Sequence, residues 1–130
     1  MLDRIDIHIE VPPVDFEKLS GKVPGESSAA IRERVKAARK IQNERLKGTS
    51  VTCNAKMDAA MTRQFCSPTP KAMVLLEQVF EKLDFSARSY DKILRVARTI
   101  ADLENSVNIE AEHIARAVQF RSLDRKFWNR

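Results

Sequence analysis

The residues of this 130-residue chain best suited to chemistry are its arginines. In SARSYDKILRVARTIADL, Arg88, Lys92 and Arg95 fall at i, i+4 and i+7, so a helix would carry them as one cationic stripe. Such a stripe can hold phosphate or carboxylate groups, although a solvated basic face is the commoner meaning of the pattern. Arg4 stands between Asp3 and Asp6, where a local ion pair worth about 0–1 kcal/mol is the simplest expectation. The other reactive side chains are scattered. His8 and His113 lie far apart and lack the paired carboxylate or cysteine of a zinc site or a Cys–His dyad. His113, near a helix start, reads as an ordinary half-exposed residue. Cys53 and Cys66 have neither metal-ligand nor C-x-x-C spacing, and are expected as reduced thiols within helical segments, which suits a cytoplasmic setting. LSGK and PGES lack the spacing that lets successive backbone N–H groups wrap a phosphate. No independent catalytic site and no metal site is legible.

Helices must position these side chains. Ile5, Ile7, Ile9 and Val11 alternate with polar residues, the pattern of a half-buried strand, yet nothing after Pro12-Pro13 reads as a second strand. A lone strand cannot satisfy its own backbone. Residues 1–26 are therefore taken as a strand plus linker, and residues 27–130 as a helical domain. Ser27 or Ser28 can cap a helix over 27–46, where Ile31, Val35, Ala38 and Leu46 make a sparse apolar stripe amid Arg32, Arg34, Lys36, Arg39, Lys40 and Arg45. Gly48 suits its C-terminal end. A shorter helix is expected over about 56–65. From Pro70 to Leu83, the residues Ala72, Leu75, Leu76, Val79, Phe80 and Leu83 share one face. Ser86 caps a long helix to about Leu103 that buries Tyr90, Ile93, Ala97 and Ile100. Asn108 is the expected cap of a last helix, with Ala111, Ile114, Ala115 and Val118 on its core side. Short loops imply that successive helices pack roughly antiparallel.

Composition agrees. The chain is 43% hydrophobic and 32% charged, with three glycines and five prolines, which leaves little for a fold built on tight β-turns. No apolar run reaches the roughly 18 residues of a membrane span, and the start is too charged for a signal peptide. The net charge of +5 favours polyanion partners weakly.

Longer stretches say more. LDRIDIHIEVP, followed by GESSAAIRERVKAARKIQNERL and DFSARSYDKILRVARTIADLE, resembles the C-terminal part of the magnesium-chelatase-like AAA+ ATPases of the ComM/YifB competence-protein group. The ending EHIARAVQFRSLDRKFW is similar to that family's last helix and tail. The resemblance implies an all-α lid of four to five helices, preceded by the last strand of the AAA+ α/β core. The Walker motifs, the other core strands and a Lon-protease-like domain would then lie upstream of Met1.

The resemblance also implies roles. Arg4 matches the arginine finger that faces a neighbouring subunit's ATP, a device worth about 10³–10⁵ in rate in well-studied NTPases. Arg88 matches the sensor-2 arginine that reads nucleotide, and the helix over 27–46 matches one that lets sensor 2 act across a subunit boundary. Lys92 matches no role in that family, and Arg95 is taken as an auxiliary contact without a matching motif. The implied machine is a homo-oligomeric ring, a hexamer, that hydrolyses ATP with Mg²⁺ and acts on single-stranded or branched DNA without a membrane. These 130 residues alone are expected neither to bind ATP tightly nor to hydrolyse it. Two rival readings remain: the lid of a metal-chelatase motor subunit, and a free-standing helical nucleic-acid-binding module. An aromatic content of 6% offers the latter few base-stacking platforms.

Overall fold

Four of the five described α-helices begin where a side-chain oxygen meets an orphan backbone N–H. The computed structural model describes residues 4–9 and 25–121. It places α1 at Ser28–Arg45, a 3₁₀ turn at Asn54–Lys56, α2 at Ala59–Phe65, α3 at Pro70–Leu83, α4 at Ala87–Leu103 and α5 at Ala111–Gln119. Ser27, Asp58, Thr69 and Ser86 each accept a hydrogen bond from the backbone N–H three residues on, at 2.8–3.3 Å. Pro70 opens α3, where its missing N–H costs nothing. The fold is the expected small all-α bundle.

Several details differ from the sequence expectation. The segment read as one helix over 56–65 splits into the 3₁₀ turn and α2. Cys53 precedes that turn and Cys66 caps α2, so neither cysteine is helical. Asn108 does not cap α5; Glu110 does. The cap shifts because Ile109 is drawn into a parallel bridge with Pro68, its carbonyl accepting from the Thr69 N–H at 3.0 Å. That bridge starts α3 and α5 side by side, and α3 packs along α5 rather than antiparallel to its successor α4. Within α5, Ala117 is buried and Ala115 exposed, the reverse of the expected choice between them.

The core forms around α4, which touches α1, the 3₁₀ turn, α2 and α5. Its face of Ile93, Leu94, Ala97 and Ile100 joins Leu76 of α3, Ile109 and Ile114 in one buried cluster. Helix α1 docks through its C-terminal half alone. Ala38, Gln42 and Leu46 are buried, whereas Ile31 and Val35 are exposed. Thus the sparse stripe read from the sequence is covered at only one end.

Polar side chains fix that docking. The carboxylate of Asp102, on α4 and fully buried, accepts two hydrogen bonds from the Arg45 guanidinium, at 2.5 and 2.9 Å. It also accepts from Asn54 Nδ2 at 3.0 Å and pairs with Arg98 at 3.3 Å. Asn54 extends the network, its backbone N–H donating to Gln42 of α1 and its side chain to Thr99. Arg98 donates onward to the carbonyls of Ser106 and Val107, which holds the loop before α5. The Asp102 hydrogen bond raises the pKa of Arg45, while burial lowers that of Arg98. Burial likewise pushes the Cys66 thiol up to about 11, against the pull of Arg98 and Arg45 nearby.

His113, expected half-exposed, is buried. Its Nδ1 accepts from the Glu110 backbone N–H at 2.9 Å, closing a capping box at the start of α5. Nδ1 therefore carries no proton, and Nε2–H donates to Glu104 at 2.7 Å. Arg116 pairs with the same carboxylate. Glu104, Glu112 and His113 converge within 4.8 Å, and these contacts account for the grouping without an ion.

Two measurements test this frame. Removing a partner from a buried ion pair costs about 3–5 kcal/mol. Asp102→Ala should lose that much in urea unfolding, because it strands two guanidinium groups, and Arg45→Ala should lose less because Arg98 still pairs Asp102. The second concerns acid. Hydrogen bonding by His113 holds the Glu104 carboxyl below the usual carboxylate range, so its contribution is present above about pH 4 and is lost as pH falls through the lowered value. Unfolding midpoints of Glu104→Gln should accordingly converge on those of the parent at low pH.

Candidate functional site

The N-terminal segment answers to its polar residues, not to its isoleucines. Residues 4–9 form no strand; they make a single parallel bridge, His8 to Arg121, with the His8 N–H donating to the Phe120 carbonyl at 2.5 Å. His8 is buried, while Ile5, Ile7 and Ile9 are 47%, 50% and 58% exposed. The expected alternation of burial is absent among these residues: Asp6 is exposed like Ile5, Ile7 and Ile9, and His8, at the bridge, is the one residue of 4–9 that is buried.

Arg121 holds the segment there. Its side chain is fully buried just beyond α5. Nη1 donates to the carbonyls of Ile5 and Asp6 at 2.7 and 3.3 Å, and Nη2 donates to Ser89 Oγ at 3.1 Å. A planar guanidinium can bond several oxygens at fixed angles, which suits a bracket between a loop and a helix. Lys92 adds a second tie, pairing with Asp6. Ser89 lies in the first turn of α4 and is held by the Ser86 cap.

This bracket brings Arg4 and Arg88 to the same end of the bundle. Arg4 precedes Ile5, whose carbonyl Arg121 binds; Arg88 precedes Ser89, which Arg121 also binds. Both arginines are exposed and have no hydrogen-bond or ion-pair partner among the described residues. Arg88 also sits in the first turn of α4, which contains no acidic residue. A cation there opposes the helix dipole by about 0.3–1 kcal/mol, so helix stability does not explain it. An anion would be favoured by the same dipole and by the free guanidinium together.

The expected stripe of Arg88, Lys92 and Arg95 does not act as a unit. Lys92 is engaged with Asp6. Arg95 turns toward the body, where Nη1 lies 3.4 Å from the Met57 carbonyl and from Thr62 Oγ1. Arg88 alone of the three stands free. Sequence reasoning assigned Arg121 no role. An arginine just past an amphipathic helix looks like any solvated C-terminal cation, and its partners lie 32 and 116 positions away.

Known proteins similar to this chain point to its family. Residues 25–121 match the family described as magnesium chelatase, subunit ChlI C-terminal. The chain is 40% identical over 125 residues to the uncharacterized protein YifB of Escherichia coli, covering 95% of this chain and 24% of that protein. It is 38% identical to the competence protein ComM of Haemophilus influenzae with the same coverage. A protein of Mycobacterium bovis, Mb2921c, is 29% identical over 93% of this chain and 24% of its own length. The chain thus spans about a quarter of the length of the curated relatives it matches.

Replacing Arg121 tests the bracket. Arg121→Ala should release residues 4–9 and speed hydrogen exchange at the His8 amide by about tenfold or more, as expected when an ordered segment opens locally. Arg121→Lys should fall between the two, since one ammonium cannot reproduce the fork; equal exchange in all three proteins would contradict the bracket.

Proposed function

Since this chain belongs to the magnesium chelatase ChlI C-terminal family, we propose that it forms the helical lid of an AAA+ ATPase whose Arg4 and Arg88 reach the triphosphate bound by a neighbouring subunit. The observation that carries the reading is the Arg121 bracket. It gathers at one end of the bundle two exposed arginines without partners among the described residues, one of them in the positive first turn of α4. A triphosphate with its Mg²⁺ fits such a place, and both are supplied by the ATP-binding parts of the complete enzyme.

Each arginine has a distinct task under this reading. Arg4, on the segment before His8, stabilises charge that develops on the γ-phosphoryl oxygens, for which a planar and permanently charged fork is suited. Arg88 binds phosphate oxygens and couples their presence to the position of α4, hence to the whole bundle. The exposed Ile5, Ile7, Ile9, Ile31 and Val35 are apolar surface that a core domain or an adjacent subunit would cover. A closed ring of subunits, a hexamer, makes each site depend on assembly. No helix among the described residues is long and apolar enough to cross a membrane.

For the substrate of the whole machine, the reading is DNA processing of the branch-migration or helicase type. Its support is the likeness to ComM, a competence protein, at 38% identity over 95% of this chain. The family description favours a rival job for the same lid, driving metal insertion into a tetrapyrrole. DNA-stimulated ATP hydrolysis by the complete protein separates the two.

The arginine roles are tested in the complete, assembled protein. Arg4→Ala should lower ATP hydrolysis about 10³-fold or more while the ring still forms, the scale of known arginine fingers. Arg88→Ala should lower it with loss of nucleotide-dependent lid movement. Rates equal to the parent in intact rings would overturn the reading.

A further inference from the structure

Helix α3 and Tyr90 of α4 enclose an open groove of about 350 Å³. Its floor is apolar: Met73, Val74, Phe80 and Tyr90, with the Phe80 and Tyr90 rings meeting edge to face at 5.7 Å. Glu77 and Glu81 stand beside it one helical turn apart, both exposed and neither paired with a cation among the described residues. Like charges at that spacing destabilise the helix that carries them, so the fold gains nothing from the pair. The opposite chemistry lies on α1. Ile31 and Val35 continue the stripe of Ala38 and Gln42 that docks on the body, yet they are 44% and 46% exposed. Arg32 and Arg39, seven positions apart, flank that stripe on one side, exposed and unpaired among the described residues. Arg34, on the other flank, is engaged by Glu26. The two surfaces do not meet within one chain, since no residue of α1 lines the groove.

We propose that the groove receives the N-terminal half of α1 from a second copy of this chain, with Ile31 and Val35 on the apolar floor and Arg32 and Arg39 against Glu77 and Glu81. An amphipathic helix laid in an apolar groove through residues one turn apart is a common mode of recognition. The spacings agree: Ile31 and Val35, like Glu77 and Glu81, are four positions and about 5–6 Å apart. Charge selects the partner. With a net charge of +5, copies of this chain repel at long range and approach best where an anionic patch meets a cationic one. Glu77 and Glu81 form such a patch, and α1 holds six basic residues against two acidic. Nucleic acid would suit the arginines of α1 alone and leave the glutamates unexplained, whereas a second copy accounts for both surfaces. Groove and stripe are different surfaces, so the contact is head-to-tail, and its repetition closes a ring or runs on as a filament. The proposal does not rest on the tasks given to Arg4 and Arg88, since neither residue belongs to either surface.

Sedimentation equilibrium of the 130-residue chain tests the contact. Interfaces below about 1,200 Å² are weak, so the measurement runs to about 1 mM protein. The average mass of the parent should rise with concentration above that of one chain. Val35→Asp removes the stripe and Val74→Asp the groove; both positions are exposed, and far-UV circular dichroism should stay that of the parent. Each variant alone should remain a monomer, and an equimolar mixture should form 1:1 dimers that grow no further, because one intact stripe meets one intact groove. Glu77→Lys with Glu81→Lys should likewise abolish association, and adding Arg32→Glu with Arg39→Glu to the same chain should restore it. A parent that stays monomeric throughout would overturn the proposal by assigning the two surfaces to other partners. Association that survives Val35→Asp or Val74→Asp would overturn it too, as would a mixture of the two that stays monomeric.

Discussion

One buried carboxylate organises the bundle. Asp102 lies near the C-terminal end of α4, where the helix dipole is negative and an acid is electrostatically misplaced. It is tolerated because Arg45, Arg98 and Asn54 surround it, and the same contacts fasten α1, the 3₁₀ turn and the loop before α5 to the central helix. Burying three ionised groups is costly unless each is paired and hydrogen-bonded. Here the geometry is bidentate on the Arg45 side, and the remaining Arg98 donors reach two backbone carbonyls. An apolar cluster alone would hold the helices together; the ionic network decides which end of α1 is docked and which is left bare.

The two ends of α4 therefore make an informative contrast. Each carries a charge of the wrong sign for its helix terminus, Arg88 at the start and Asp102 at the end. Asp102 is compensated by partners within the chain, whereas Arg88 has none among the described residues. A misplaced charge with three local partners is an element of the fold. One with none among the described residues offers itself to a ligand from outside, which separates Arg88 from Lys92 and Arg95 on the same helix better than spacing can.

Much of the frame was legible in the residues. The bounds of α3 and α4 follow from Thr69, Pro70 and Ser86 as starting signals and from long apolar periodicities, where local and tertiary preferences agree. Failures occur where a distant contact overrides a local one. Asn108 is a good cap, yet the Pro68–Ile109 bridge moves the start of α5. Ala115 and Ala117 are too alike in size and polarity for periodicity to choose between them. Arg45 read as one surface cation among many, because its partner lies 57 residues away. The site divides similarly. Spacing alone reads Arg88 as part of a solvated face, and only the family resemblance of its SAR stretch singles it out, whereas Arg121, which holds the segment carrying Arg4, leaves no local trace.

The anchors also bear on how a bundle of this kind transmits force. Helix α4 has 17 residues, about 25 Å of rigid rod. Its first turn is tied by Arg121 to the N-terminal segment, and its last turn is tied by Asp102 to α1. A pull on Arg88 of the kind proposed for bound nucleotide would act on a rod fixed at both ends to other elements. Packed, hydrogen-bonded elements move as bodies rather than deforming continuously. The displacement would therefore arrive at α1 with little loss, and α1 is the helix whose Ile31 and Val35 are left for another surface to cover. Under the proposed reading, charge sensing at one end of α4 and apolar contact at α1 would belong to a single mechanical unit, tied by the Arg121 bracket at one end and the Asp102 network at the other.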